Sequence, residues 1–374
     1  NTIIANGNSP RDTIGAFDIL ISMYRSKKQH EQAKQCTLKA LYDIWDDDIS
    51  TTDVEVKFSK VRKLVQNMSD ADLLVLSDME HKKTIKKMPF LLQLAEISGL
   101  CKNYKLQDLA ALRMLELTLK YGSYEINFTA LAFALCGLCV ARRRLHGEAC
   151  RYGRLADMMS DIDSPLGRQA IAHNHYSMRH WRGSMRENRE SLIGTCWASM
   201  DANELDNLSF QVGVYISTIF FSGLPFDCED KLLEKYKEKR RQRNMLDECW
   251  NVTAPYNALM RLKGETSRSI KMKYSDPKAI QYEIFFQMVT SMFMHNIDSA
   301  VKFNAKIFIK PGGFWGSYRA FMEGLISTHH AQRSSGKDKF FHQNQATKFI
   351  DILTAWTRKG LNSCAHMANI LKVS

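Results

Sequence analysis

Apolar residues recur at three- and four-residue spacing along almost the whole chain, and only seven prolines and 19 glycines interrupt them. That period is the signature of helices burying one face, whereas strands would need alternation at period two. Alternating β-branched runs are few, so the pattern predicts an all-α protein. Helices are expected at about 10–25, 30–46, 54–67, 88–101, 107–121, 127–143, 146–160, 166–180, 184–200, 204–222, 228–245, 250–263, 278–294, 297–308, 314–334, 338–358 and 360–372.

Residues 130–165 show how such helices would pair. Phe133, Cys136, Gly137 and Val140 share a face of one helix, and Ala149 and Ala156 lie seven apart on the next. Small residues at those places let two helix axes approach, which a larger side chain would prevent. The spacing matches a two-helix repeat of about 34 residues, with Phe133, Gly137, Ala149 and Ala156 as its structural positions. Residues 10–46 give a weaker copy through Phe17, Leu20 and Tyr24, then Ala33 and Ala40, and 278–308 keeps only Ala300 in register. Pairs of this kind leave an apolar face for a neighbour to cover. The expectation is therefore a tetratricopeptide-like α-solenoid of stacked antiparallel helix pairs, 1–224 forming its N-terminal part and 225–374 its C-terminal part. A chain that starts at Asn1 and stops at Ser374 after a helical Leu371-Lys372-Val373 is expected to be a piece of a larger protein.

The apolar run from Ile126 to Ala141, followed by Arg142-Arg143-Arg144, is shorter than the roughly 20 residues a membrane span requires. It reads as a buried helix. Nine scattered cysteines, odd in number and set in apolar helical patterns, fit reduced core thiols and a cytoplasmic protein.

Motifs that carry chemistry are incomplete throughout. Cys136 and Cys139 have metal or redox spacing but no further ligands, and lie inside a helix. His146-Gly-Glu148 is half of a zinc deaminase signature whose cysteine half is missing. His173, His175 and His180 share a helix face only imperfectly, and His329-His330 lacks nearby carboxylate or thiol partners. Ser335-Gly336-Lys337 has Ala331 and Asp338 where a phosphate loop needs Gly and Ser or Thr. Lys310 to Gly316 reads as a turn. No catalytic, metal or cofactor-binding residue is assigned.

The order of landmarks nonetheless resembles a known family. Leu112-Arg113-Met114, Leu119-Lys120-Tyr121-Gly122, the small-residue helix pair, Gly153-Arg154-Leu155-Ala156, His180-Trp181, Phe220-Phe221-Ser222-Gly223 and Ala355-Trp356 follow one another in turn. This series resembles the helical region that follows the predicted ATPase module of large signalling proteins, such as hybrid histidine kinases and serine/threonine kinases. The resemblance spans about 10–372. It implies a non-catalytic spacer or sensor that couples an ATPase to an output kinase or cyclase. Arg142-Arg143-Arg144-Leu145-His146-Gly147 departs from the family's usual Leu-Gly-Asp-Tyr turn.

The expected function is accordingly protein interaction and coupling, with a peptide or a flanking ATPase, kinase or cyclase domain of the same chain as partner. Polar residues on first helices of pairs, Asn174, His175, Arg179 and Arg182, are the candidates for a binding groove. The alternative is a basic platform for RNA or an anionic membrane. The excess of Lys and Arg over Asp and Glu, 52 − 40 = +12, favours it, as does the stretch Lys235 to Arg243, where Lys239, Arg240, Arg241 and Arg243 cluster. Aromatics are not interleaved there for base stacking, so nucleic acid is the weaker partner class.

Overall fold

The computed structural model describes residues 10–181, 183, 185, 188–222, 230–242, 250–265, 277–307, 315–359 and 361–373. These are helical nearly throughout, and the described residues form no strand beyond one isolated bridge between Asp78 and Ser123. In chain order the helices are α1 (Pro10–Ser26), α2 (His30–Trp45), α3 (Val54–Gln66), α4 (Asp70–Leu74), α5 (Lys82–Leu100), α6 (Tyr104–Tyr121), α7 (Ile126–Arg142), α8 (His146–Met159) and α9 (Pro165–Ser177). They continue as α10 (Arg189–Asp201), α11 (Leu205–Ser222), α12 (Asp230–Gln242), α13 (Trp250–Lys263), α14 (Pro277–Phe293), α15 (Ile297–Asn304), α16 (Trp315–Arg333), α17 (Gly336–Arg358) and α18 (Asn362–Val373).

One turn recurs. Between α1 and α2, α5 and α6, α7 and α8, α10 and α11, and α14 and α15, three residues connect the helices, and the middle one is left-handed. These middle residues are Lys28, Lys102, Arg144, Asn203 and His295, with φ of 57°, 60°, 61°, 60° and 56°. In each turn two amides close back on the ending helix. Lys102 N–H donates to the Gly99 carbonyl at 3.0 Å and Asn103 N–H to Ser98 at 2.8 Å. His295 and Asn296 do the same to Met292 and Ser291 at 3.1 and 2.8 Å. This satisfies carbonyls the helix end leaves open and reverses the chain within three residues. Asn103 and Asn296 then cap the following helix through their side-chain oxygens. The run Arg142-Arg143-Arg144 makes this same connection.

The chain divides into two compact units, residues 1–139 with 154–160, and 140–153 with 161–374. In the first, α1 packs on α2, α2 on α5, α5 on α6, and α3 on α6. Phe17, Ile21, Ala33 and Ala40 are buried at these contacts. Helix α5 begins at Lys82, earlier than the pattern predicts, because it accommodates Pro89 within its length. The short α4 is fixed by a capping box between Ser69 and Asp72. Phe128 to Cys136 are buried on every face of α7, which explains an apolar run too short to span a bilayer. No helix among the described residues is long and apolar enough to cross a membrane. Phe133, Gly137, Ala149 and Ala156 are all buried.

In the second unit α9, α10 and α11 pack together, followed by α13 on α11, α14 on α13, α15 on α14, and the α16–α17–α18 group. Its core centres on aromatic rings, with Phe220 and Phe286 5.0 Å apart and Phe221 and Tyr318 3.9 Å apart. Helix α18 returns to contact a 3₁₀ turn at Arg179–Trp181. The ends of this unit therefore meet, a contact beyond those between successive pairs.

Candidate functional site

Of the residues expected to line a groove, Asn174 and His175 are buried. Asn174 is 0% exposed and His175 3%. Asn174 Nδ2 donates to the Gly153 carbonyl at 3.0 Å, and a Cβ on Gly153 would stand 2.3 Å from Asn174 Oδ1. The bare glycine is what allows the close approach of α8 and α9. A second clamp of this design joins α11 and α13, where Asn251 Nδ2 donates to the Ser209 carbonyl at 3.1 Å beside Gly213. Asn174 is thus a helix-joining residue of the core, not a groove residue. Its amide gives that mid-helix carbonyl a second donor across the helix–helix contact.

His175 is likewise internal. Its Nε2 lies 2.8 Å from Ser191 Oγ and 3.2 Å from Arg179 Nη1, tying α9 to α10. The serine–histidine distance suits nucleophile activation. The surroundings do not. A guanidinium can only donate, so it occupies the Nε2 lone pair that a general base would use. Burial first, then the charges of Arg179 and His180, hold the imidazole well below its ordinary pKa. The trio is a polar tie between helices. Arg182 and Arg243 lie outside the described residues.

Around this tie is a cluster of neutral histidines. His180 Nδ1 donates to the His175 carbonyl at 3.2 Å, and its ring stands 4.8 Å from Trp181. His146 meets the Trp181 ring edge-on at 4.4 Å and lies 6.4 Å from Trp356. Burial, followed by the charges of Lys359 and Arg144, brings His146 down to about 4. Burial brings His180 to about 3, against the opposing bond to the His175 carbonyl. The cluster seats α17 and α18 against residues 146–181, so it is a structural junction. Among the described residues no group of three or more His, Cys, Asp or Glu is placed to hold a metal ion. Cys136 is buried and its thiol is pushed well above the ordinary range by burial and then by Asp108, the reverse of what a redox or ligating thiol needs.

The basic helix α12 is partly committed to its own fold. Lys235 Nζ pairs with Asp201 at 2.8 Å and lies over the Trp197 ring, Lys237 lies over Tyr256, and Arg240 donates to Ser209 Oγ at 2.9 Å. Lys239 is half-buried and Arg241 exposed.

The open feature lies elsewhere, at the end of α2. A cleft of about 620 Å³ is lined by Tyr42, Asp43, Ile44, Trp45, Asp46 and Lys83. Tyr42 is 57% exposed, and Trp45 is braced from behind by Phe90 with ring centroids 5.2 Å apart. Asp43 and Asp46 are exposed in or beside a last helical turn that contains no base. Carboxylates there add to the negative end of the helix dipole instead of offsetting it. A cation would relieve this repulsion, and the two rings would cover its aliphatic stem. Neighbouring Asp47, by contrast, is consumed internally by Lys87 and Arg113. The sequence signal that marks the cleft is Tyr42 and Trp45 three apart, interleaved with aspartates in an otherwise basic chain.

No family model, curated protein or solved structure matches this chain.

Proposed function

We propose that the chain is a non-catalytic interaction and coupling module of the tetratricopeptide-like kind, acting in the cytoplasm, and that its α2 cleft holds a basic segment of a partner protein. The cleft is the observation that supports this reading. Among the described residues Asp43 and Asp46 make no side-chain bond, whereas Asn174, His175 and Ser191 are spent within the fold. The three-residue turn supports the solenoid part of the proposal, since it gives five connections the same reversal. The partner is a peptide or flanking domain, and the sequence resemblance makes an ATPase and a kinase or cyclase of the same polypeptide the natural neighbours.

A fluorescein-labelled peptide rich in Lys, Arg and Leu should bind with a Kd that rises about tenfold, roughly 1.4 kcal/mol, in the double variant Asp43→Asn and Asp46→Asn. Tyr42→Ala should weaken binding similarly. Anisotropy at two salt concentrations measures both. An unchanged affinity in these variants would remove the cleft as the binding surface. A labelled RNA that binds instead, and is released by Lys239→Glu with Arg241→Glu, would favour the basic platform.

A further inference from the structure

Two hairpin ends of the second unit expose large apolar side chains. Phe293 and Met294 flank the α14–α15 turn, and Phe340 and Phe341 lie at the start of α17, one turn beyond the Ser334–Ser335 connection. Phe340 is 66% exposed, Phe341 57% and Met294 59%. The two ends are neighbours because α15 and α16 run antiparallel. At one end of this pair Arg319 Nη2 approaches the Ile307 carbonyl at 3.5 Å. At the other, Asp298 is close enough to His329 to act on its charge, opposing burial and the effects of Arg333 and His330. Residues 293–298 and 329–341 therefore share one end of the unit.

Basic residues surround the phenylalanines. Arg333, Lys337, Lys339 and Lys348 are exposed, against Asp338 as the one acid between 329 and 348. Adjacent exposed phenylalanines are costly in water, and contiguous apolar surface of this kind marks an interaction site. Rings projecting beyond a collar of Lys and Arg suit a surface that is apolar within and anionic at its face. An anionic lipid leaflet has that construction: rings enter the acyl boundary while bases remain among the headgroups.

We propose that this part of the second unit docks on an anionic membrane surface, with Phe340 and Phe341 entering the lipid and Arg333, Lys337 and Lys339 meeting the headgroups. The site is separate from the peptide cleft and independent of it. Docking here would hold an interaction module at a membrane surface through its second unit.

Flotation of the full chain with vesicles of phosphatidylcholine alone, or with about 30% phosphatidylserine, tests the proposal. Binding is expected to the anionic vesicles, to fall with added salt, to fall about tenfold in the double variant Phe340→Ser and Phe341→Ser, and to be weakened in Lys337→Glu with Lys339→Glu. Circular dichroism of the variants should match the parent, since all four positions are exposed. No binding to anionic vesicles, or binding unaffected by the phenylalanine variant, would overturn it. So would a concentration-dependent dimer abolished by that variant, which would mean that a second copy covers these side chains.

Discussion

Lowering the pH from 7 to 5 is expected to destabilise the second unit by several kcal/mol. His146 and His180 are neutral in the folded protein, with pKa values brought to about 4 and about 3, and His175 is lowered in the same direction. In the unfolded chain each returns to about 6.5. Between these values the unfolded state binds more protons, so stability rises with pH through this window, is fully present above about 6.5, and is lost as pH falls. At pH 5 each histidine that stays neutral costs about 2 kcal/mol, so His146 and His180 together cost about 4 kcal/mol. Urea unfolding at pH 7 and pH 5, followed by Trp181 and Trp356 fluorescence, measures the difference. The pH dependence should weaken by about one proton in His180→Asn. Equal stability at the two pH values would mean that these rings are solvated, and that α18 does not seat on residues 146–181.

In the first unit the largest single-residue effect is expected from Glu116→Ala. Glu116 accepts from Lys57 at 3.0 Å, Lys60 at 2.9 Å and Arg113 at 2.6 Å, and Arg113 also reaches Asp47 at 3.1 Å. Burial alone would raise the Glu116 pKa, but the bonds from Lys60, Lys57 and Arg113 outweigh it and bring the carboxyl to about 2. Removing the carboxylate leaves Lys57 and Arg113 partly buried without their main counter-charge. Breaking such a group costs about 3–5 kcal/mol, far more than losing a surface pair. Lys60→Ala, which deletes the most exposed of the three partners, should cost under about 1 kcal/mol. Thermal unfolding of the two variants provides the comparison. Similar losses would show that the network is solvated.

Periodicity made the helices legible. The predicted 30–46, 107–121 and 250–263 correspond to His30–Trp45, Tyr104–Tyr121 and Trp250–Lys263. The small positions at Ala33, Ala40, Ala149 and Ala156 are buried, as the spacing implied. The turns were harder to read, because a left-handed residue announces itself as Gly or Asn, and four of the five connections place Lys, Arg or His there. Their signature is hydrogen bonding, which side-chain chemistry does not reveal. Asn174 and His175 were expected at a groove, and both are buried. A polar residue on a helix suggests solvent, and only the opposing Gly153 shows that it faces a backbone carbonyl. The meeting of His146, Trp181 and Trp356 joins positions more than 170 residues apart, beyond the reach of any local pattern.

The interaction reading depends on the chain being a set of hairpins held in local blocks. Native-state hydrogen exchange of the full chain under graded urea tests this most directly. Stacked pairs predict at least two blocks of amides with different opening free energies, one within residues 10–139 and one within 161–373, each responding separately to Glu116→Ala and to acid. Exchange of every protected amide at a single opening free energy, shifted equally by both perturbations, would contradict it and make the protein one cooperative globule.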